Sequence, residues 1–168
     1  MTNFKSLLPQ IFERSLAIMA FYFPFIEVSA YFGPKVFLST DSLMLRTFYS
    51  NNIIKLANFY TENNLLIFIV MIWLFIGCSR GTFPVTKFLR FNIIQAILLN
   101  IICTCLGVVF NFLPIFLKES VIGVVFSNFL FLGMVMLVGY STLLIAYGRY
   151  PVIPVVSEAA KMQVQRSG

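Results

Sequence analysis

Two stretches of this chain carry no charged residue over a length greater than the thickness of a bilayer. They run from Phe91 to Leu117 and from Ser120 to Gly148. A helix needs about 20 consecutive apolar residues to cross the hydrocarbon core of a membrane. Because both stretches are longer than that, the sequence predicts an integral membrane protein.

The composition narrows the fold class. Hydrophobic residues make up 60% of the chain and charged residues 11%, whereas a soluble domain has about 25% charged residues. The apolar stretches lack the strict alternation that a membrane β-barrel requires, so helices are the structure that satisfies their backbone in lipid. We therefore predict an all-α membrane protein that forms a single domain over residues 1–168.

Four apolar segments are candidates for transmembrane helices. They lie at about residues 15–32, 63–79, 91–117 and 120–148. The first contains Pro24, which removes a backbone hydrogen bond and kinks a helix. Only Lys118 and Glu119 separate the last two, so we expect these two helices to pack as a tight antiparallel hairpin.

The basic residues predict the orientation of the four spans, because Lys and Arg stay on the cytoplasmic side of a membrane. Of the 12 Lys and Arg residues, eight fall on the side of both termini and four on the opposite side. Both termini and the tail at residues 149–168 are therefore expected on the stromal or cytoplasmic side. No basic cluster exceeds three residues, so the net charge of +6 does not indicate nucleic-acid binding.

The loop between the first two spans, Gly33–Glu62, is long enough to need a structure of its own. At about residues 43–60 it has the pattern of an amphipathic helix, with Ile54 as the one misfit. The apolar side of that helix comprises Leu45, Phe48, Tyr49, Ile53, Leu56, Phe59 and Tyr60. The helix lies either in the membrane interface or as a lid on the bundle, and the sequence leaves both alternatives open.

Enzymatic chemistry has little support in this sequence. It has no histidine, and its three cysteines lie in or beside apolar runs. Glu27 is the only carboxylate inside a span, and there is no Gly-rich phosphate loop. We therefore expect a protein without catalytic residues, metal site or cofactor.

Polar side chains within the spans are the candidate functional residues. A charged group inside a span is costly and marks a functional candidate, although Glu27 could also be an interfacial carboxyl that water reaches. Amides and hydroxyls in the third span either line a polar path or a subunit interface, or pack helices together. The candidates are Glu27, Asn92, Gln95, Asn100, Thr104 and Asn111.

Three short stretches have a more specific pattern than apolar composition. One is Tyr22-Phe23-Pro24-Phe25-Ile26-Glu27 in the first span. The second begins the third span and contains Arg90, Phe91, Asn92, Gln95 and Ala96. The last follows the fourth span and contains Pro151, Pro154, Glu158 and Ala159. Together they resemble the Tic-twenty (Tic20) family, small four-helix subunits of the protein translocon at the chloroplast inner envelope.

The resemblance extends from about residue 15 to the end of the chain. It implies that both termini are stromal and that the protein takes part in the protein-conducting channel that imports preproteins. The implied partners are other translocon subunits, preproteins in transit and membrane lipid. The chain lacks a transit peptide and is rich in Phe, Ile and Asn, so we expect a plastid-encoded member in the inner envelope membrane. A cyanobacterial homologue would lie in the plasma or thylakoid membrane.

Two other functions remain open at this point. The protein could be a structural or assembly subunit of another plastid or cyanobacterial membrane complex. A small solute carrier is a weaker alternative, because no inverted repeat is visible.

The tail is expected to dock on the membrane face of the bundle. We predict that Asn92 and Gln95 hydrogen-bond within the bundle or to the segment Pro151–Glu158. The alternative is that the basic residues near this end only fix the helices in the membrane and contact lipid headgroups.

Overall fold

The computed structural model describes residues 4–38 and 42–165, and it describes side chains for residues 10–37 and 42–165. Every regular element in these residues is a helix. The helices are α1 Phe4–Ala20, α2 Tyr22–Tyr31, α3 Gly33–Leu38, α4 Leu43–Phe48, α5 Ile54–Glu62, α6 Asn64–Arg80, α7 Lys87–Phe112, α8 Ile115–Lys118, α9 Val121–Ala146 and α10 Val156–Gln165. A π-helical turn, Tyr49–Ile53, joins α4 to α5. The all-helical expectation is thus met over these residues.

Among the described residues, α7 and α9 are the two helices long and apolar enough to cross a membrane by themselves. Each has 26 residues, which gives a length of about 39 Å. Both begin at a side-chain cap: Thr86 accepts the amide of Leu89, and Ser120 accepts the amide of Gly123. Helix α7 ends at Phe112, two residues before Pro114, which cannot continue it.

The first expected span, 15–32, is not one continuous helix. Helix α1 starts as early as Phe4, and the chain breaks at Phe21 before α2 begins. The break follows from Pro24, which has no amide hydrogen to donate to the carbonyl of Ala20 and whose ring crowds that carbonyl. The sequence predicted a kink at Pro24, and the structure instead has a break between two helices just before this proline.

The second expected span corresponds to α6, which has 17 residues and a length of about 26 Å. Together with the preceding helical segment Leu43–Glu62 it forms a pair bent by 78°. The described residues therefore provide two spans, or three if this pair counts as one. The four-span arrangement stays a prediction.

The amphipathic helix expected in the first loop corresponds to α4, the π-helical turn and α5, Leu43–Glu62, and is called the loop helix below. It has apolar side chains on two surfaces. Tyr49, Ala57 and Tyr60 are buried against the bundle. Phe48 and Phe59, which the sequence placed on the same apolar side, are exposed. The alternatives of lid and interfacial helix are thus not exclusive: one surface covers the bundle, and the other is free to contact lipid.

The expectation of a tight hairpin between the last two spans is wrong. Helix α2 packs against both α7 and α9, and α1 also contacts both. Helices α7 and α9 meet near their connection, where the rings of Phe110 and Phe126 lie 6.1 Å apart. The connection from Leu113 to Ser120 includes the short helix α8 as well as Glu119, so it is long enough to let α1 and α2 lie between the two long helices.

Candidate functional site

A buried polar cluster joins three helices at the centre of the bundle. Glu27 of α2 is 3% exposed. The hydroxyl of Thr104 on α7 donates a hydrogen bond to Glu27 Oε1 at 2.6 Å. The same hydroxyl lies 3.0 Å from the carbonyl of Asn100. A hydroxyl has a single proton, and the contact with Glu27 is the shorter of the two, so the bond to Glu27 dominates.

Tyr60 brings the loop helix into this cluster. Its hydroxyl accepts a hydrogen bond from Asn100 Nδ2 at 3.3 Å and lies close enough to Glu27 to interact with it electrostatically. Asn100 is 1% exposed and Tyr60 5% exposed. The cluster therefore connects α2, α5 and α7 through buried side-chain hydrogen bonds.

The carboxyl of Glu27 depends on these neutral donors. The hydroxyl of Thr104 donates to it, and Tyr31, Tyr60 and Cys103 lie close enough to interact with it electrostatically. Asn100 Oδ1 is buried without a hydrogen-bond partner. Because leaving a buried polar group unpaired is costly, this oxygen marks the point where water or another polar group would complete the cluster.

A second polar contact holds the tail on the bundle. Gln95 of α7 donates through Nε2 to Ser157 Oγ at 2.9 Å and lies 3.3 Å from the carbonyl of Pro151. Ser157 Oγ also accepts the amide of Ile153 at 2.6 Å. Gln95 and Ser157 are both buried. The tail contact expected of Gln95 is present, and Ser157 is its partner.

The motif that begins α7 and the motif in the tail touch each other. The ring of Phe91 packs against Tyr150 at 5.1 Å, edge to face. Arg90 donates through Nε to the carbonyl of Val85 at 3.4 Å. Ala96 and Pro151 are buried, whereas Pro154 and Glu158 are exposed and Ala159 is partly buried. The two stretches thus form one structural unit at this end of the bundle.

Two sequence candidates lie outside both polar contacts. Asn92 is buried, but its Nδ2 bonds the carbonyl of Phe88 in its own helix at 2.8 Å. Asn111 is exposed near the end of α7, and its carbonyl accepts from Lys118 Nζ at 2.8 Å. The structure brings Glu27, Asn100 and Thr104 together and leaves Asn111 at the surface. Whether these residues line a path or an interface stays a prediction.

Sequence reasoning missed three members of these contacts. Tyr60 was assigned to the apolar side of the loop helix, although a buried tyrosine hydroxyl usually has a partner. Ser157 carries no signal of its own within the tail. Tyr31 packs so closely on α7 that a Cβ at Gly107 would lie 2.4 Å from its ring. The glycine at position 107 was the one feature of the sequence that indicated a close contact with another helix here.

The polar groups of both contacts hydrogen-bond one helix to another. In the described ranges there is no group of three or more His, Cys, Asp or Glu residues that could hold a metal ion. Glu27 has no second carboxylate or imidazole as a hydrogen-bond partner there. The chemistry that this arrangement supports is hydrogen bonding between helices, or to a polar group that enters the bundle.

Comparison with known proteins gives one consistent result. Residues 3–160 match the family TIC20, described as chloroplast import apparatus Tic20-like. The Tic20 family protein Ycf60 of Cyanidium caldarium is 32% identical over 160 residues, covering 95% of this chain and 77% of the relative. Ycf60 of Gracilaria tenuistipitata is 31% identical, covering 92% of this chain and 76% of the relative. A Tic20 family protein of Synechocystis is 30% identical, covering 91% and 93%.

Proposed function

Because this chain belongs to the Tic20 family, we propose that it is a subunit of the protein-conducting channel that imports preproteins across the inner envelope membrane of a plastid. The family match over residues 3–160 is the observation that carries this proposal. In this arrangement the chain has four spans with both termini in the stroma. It has no enzymatic activity of its own and acts together with other translocon subunits.

The buried cluster gives the proposal a physical basis. Charged and amide groups within a membrane bundle either hydrogen-bond between helices or line a path for polar cargo. Asn100 Oδ1 has no partner in the described structure, so it is available to a polar group from water or from a polypeptide backbone. Opening the bundle along α2 and α7 would expose Glu27 and Thr104 to such a group.

Purification in mild detergent tests the proposal. A tag placed after Gly168 should recover the chain together with translocon subunits, and with a preprotein arrested during import. Replacing Asn100 and Asn111 with Leu should reduce import while the protein still accumulates. Replacing Val108 and Val109, which are exposed on the same helix, with Leu is the matched control and should leave import unchanged.

Recovery of a different membrane complex without preprotein would support an assembly subunit and contradict the channel proposal. In a cyanobacterial host the same experiment would address the plasma or thylakoid membrane. The Synechocystis relative is a reason to include that host.

A further inference from the structure

An apolar groove lies on one side of the bundle, between α1–α2 and α6. Helix α7 forms its floor with Leu89, Ile93 and Ile97, which recur every four residues on one face. The walls are built from α1–α2 on one side and from α6 on the other. The groove exists because α6 packs against α7 but stands apart from α1 and α2, which pack on another part of α7.

The groove has the lining of a hydrocarbon site. Phe23 and Ile26 stand on one wall, and Trp73 and Leu74 on the other. Its volume is about 810 Å³. Trp73 is 61% exposed and packs edge to face against Phe83 at 4.8 Å. The groove is thus open toward the surroundings of the bundle, which for a membrane protein are lipid.

The dimensions favour a thin, flexible occupant. The floor from Leu89 to Ile97 spans eight helical steps, a length of about 12 Å. A helix that spans the membrane needs a packing surface about 30 Å long, which is much longer than this floor. A single acyl chain is thinner than a helix and can bend to follow the groove.

Basic residues flank the loop that lines the groove at the connection between α6 and α7. Phe83, Pro84 and Val85 of this loop line that end of the groove, with exposed Arg80 before them and exposed Lys87 after them in the sequence. Arg90 bonds the carbonyl of Val85 and lies close enough to Cys78 to act on its thiol electrostatically. In the part of the chain that the structure describes, Glu13 is the carboxylate bonded to this loop, because it accepts a hydrogen bond from Thr86 at 3.0 Å. Positive charge therefore exceeds negative charge at this end.

We propose that this groove binds an acyl chain of an anionic membrane lipid, with the lipid headgroup beside Arg80 and Lys87. The apolar lining holds the chain, and the two exposed cations select the charge of the headgroup. Each Lys or Arg near a membrane surface attracts anionic lipid by a modest amount that adds up over neighbouring residues. The site is independent of the buried cluster at Glu27, so it can be tested apart from the translocon proposal.

The only tryptophan in the chain, Trp73, reports on this groove directly. The protein is reconstituted in phosphatidylcholine vesicles that contain brominated phosphatidylglycerol, or brominated phosphatidylcholine at the same mole fraction. Bromine on the acyl chain quenches tryptophan fluorescence at contact. We expect stronger quenching by the anionic lipid.

Two variants separate specific binding from ordinary contact with the bilayer. Replacing Arg80 and Lys87 with Gln should lower the relative association of the anionic lipid by roughly 5-fold for each residue. The control pair Arg46→Gln and Lys55→Gln, exposed on the loop helix, should leave it unchanged. Ala20→Phe should fill the groove and reduce quenching by both lipids. Gly139→Phe, at a position with open space around it, should not.

Equal quenching by the two lipids would overturn the proposal, because the groove would then hold only bulk lipid. An unchanged preference in the Arg80 and Lys87 variant would overturn it too. Displacement of the brominated lipid by a stoichiometric apolar helical peptide would assign the groove to a polypeptide instead.

Discussion

Ser157 illustrates how a single hydroxyl can position a whole segment. It accepts hydrogen bonds from the amide of Ile153 and from Gln95, and it lies 3.3 Å from the carbonyl of Pro151. Nearby, Val155 has φ of 66°, a conformation that a β-branched residue rarely adopts. The contacts of Ser157 help to hold the chain in this strained turn before α10.

Replacing Ser157 with Ala should release the tail. The change leaves the amide of Ile153 without its buried acceptor, which costs about 1–3 kcal/mol, and leaves Gln95 Nε2 only the longer contact with the carbonyl of Pro151 at 3.3 Å. Limited proteolysis should then cleave between Val155 and Lys161 much faster than in the unmodified protein. Glu158→Gln, at an exposed position of the same segment, is the control. Equal cleavage of both variants would mean that the serine does not hold the tail.

In the central cluster, Thr104 has a role like that of Ser157, because its hydroxyl hydrogen-bonds a residue of another helix, Glu27. Thr104→Val keeps the shape of the side chain and removes one donor to Glu27, so we expect a loss of about 1–3 kcal/mol in unfolding free energy. Thr142→Val removes a hydroxyl that bonds only within its own helix, to the carbonyl of Gly139. Urea unfolding in detergent compares the two variants. A loss for Thr142→Val as large as for Thr104→Val would contradict the role of the cluster.

At the scale of elements, α2 organises the bundle although it is only 10 residues long. It contacts α7, α9 and the loop helix, and its Val28 and the residue that follows it, Phe32, belong to the main core. It approaches α7 closely at Gly107, where the ring of Tyr31 occupies the space of a side chain. A glycine at this position therefore allows the two helices to pack together.

Gly107→Ala should therefore push α2 away from α7. The added methyl group would lie 2.4 Å from the ring of Tyr31, a distance that requires the ring or the helix to move, and overpacking of this kind costs about 1–3 kcal/mol. The control Gly133→Ala lies in open space on α9 and should be neutral or stabilise the helix by up to about 1 kcal/mol. Thermal unfolding decides between them, and a neutral Gly107→Ala would be inconsistent with this packing.

Element types could be predicted from the sequence better than their arrangement. Helices α7 and α9 follow from charge-free length alone, which is a local property of the chain. The break at Phe21 was foreseeable as a kink at Pro24 but not as two helices, because propensity does not fix the angle between them. The position of α2 between α7 and α9 and the bond of Tyr60 to Asn100 depend on contacts distant in sequence, so periodicity could not reveal them.

For the whole molecule, orientation is the first property to establish. The excess of Lys and Arg on one side predicts four spans with both termini in the stroma or cytoplasm. Single cysteines at Ser6 and Ser167, in a chain whose native cysteines are replaced, should be labelled only from that side of sealed membranes. Labelling of either position from the opposite side would contradict the orientation and reduce the number of spans.

Contact with a preprotein in transit tests the central claim most directly. A photo-crosslinker is placed at Asn111, or at Val109 as a control on the same helix, and a preprotein is arrested during import into intact plastids. The proposed function predicts an adduct between the preprotein and the Asn111 position, and a much weaker one from Val109. No adduct from Asn111, Thr104 or Asn100 with an arrested preprotein present would contradict a role in the protein-conducting path.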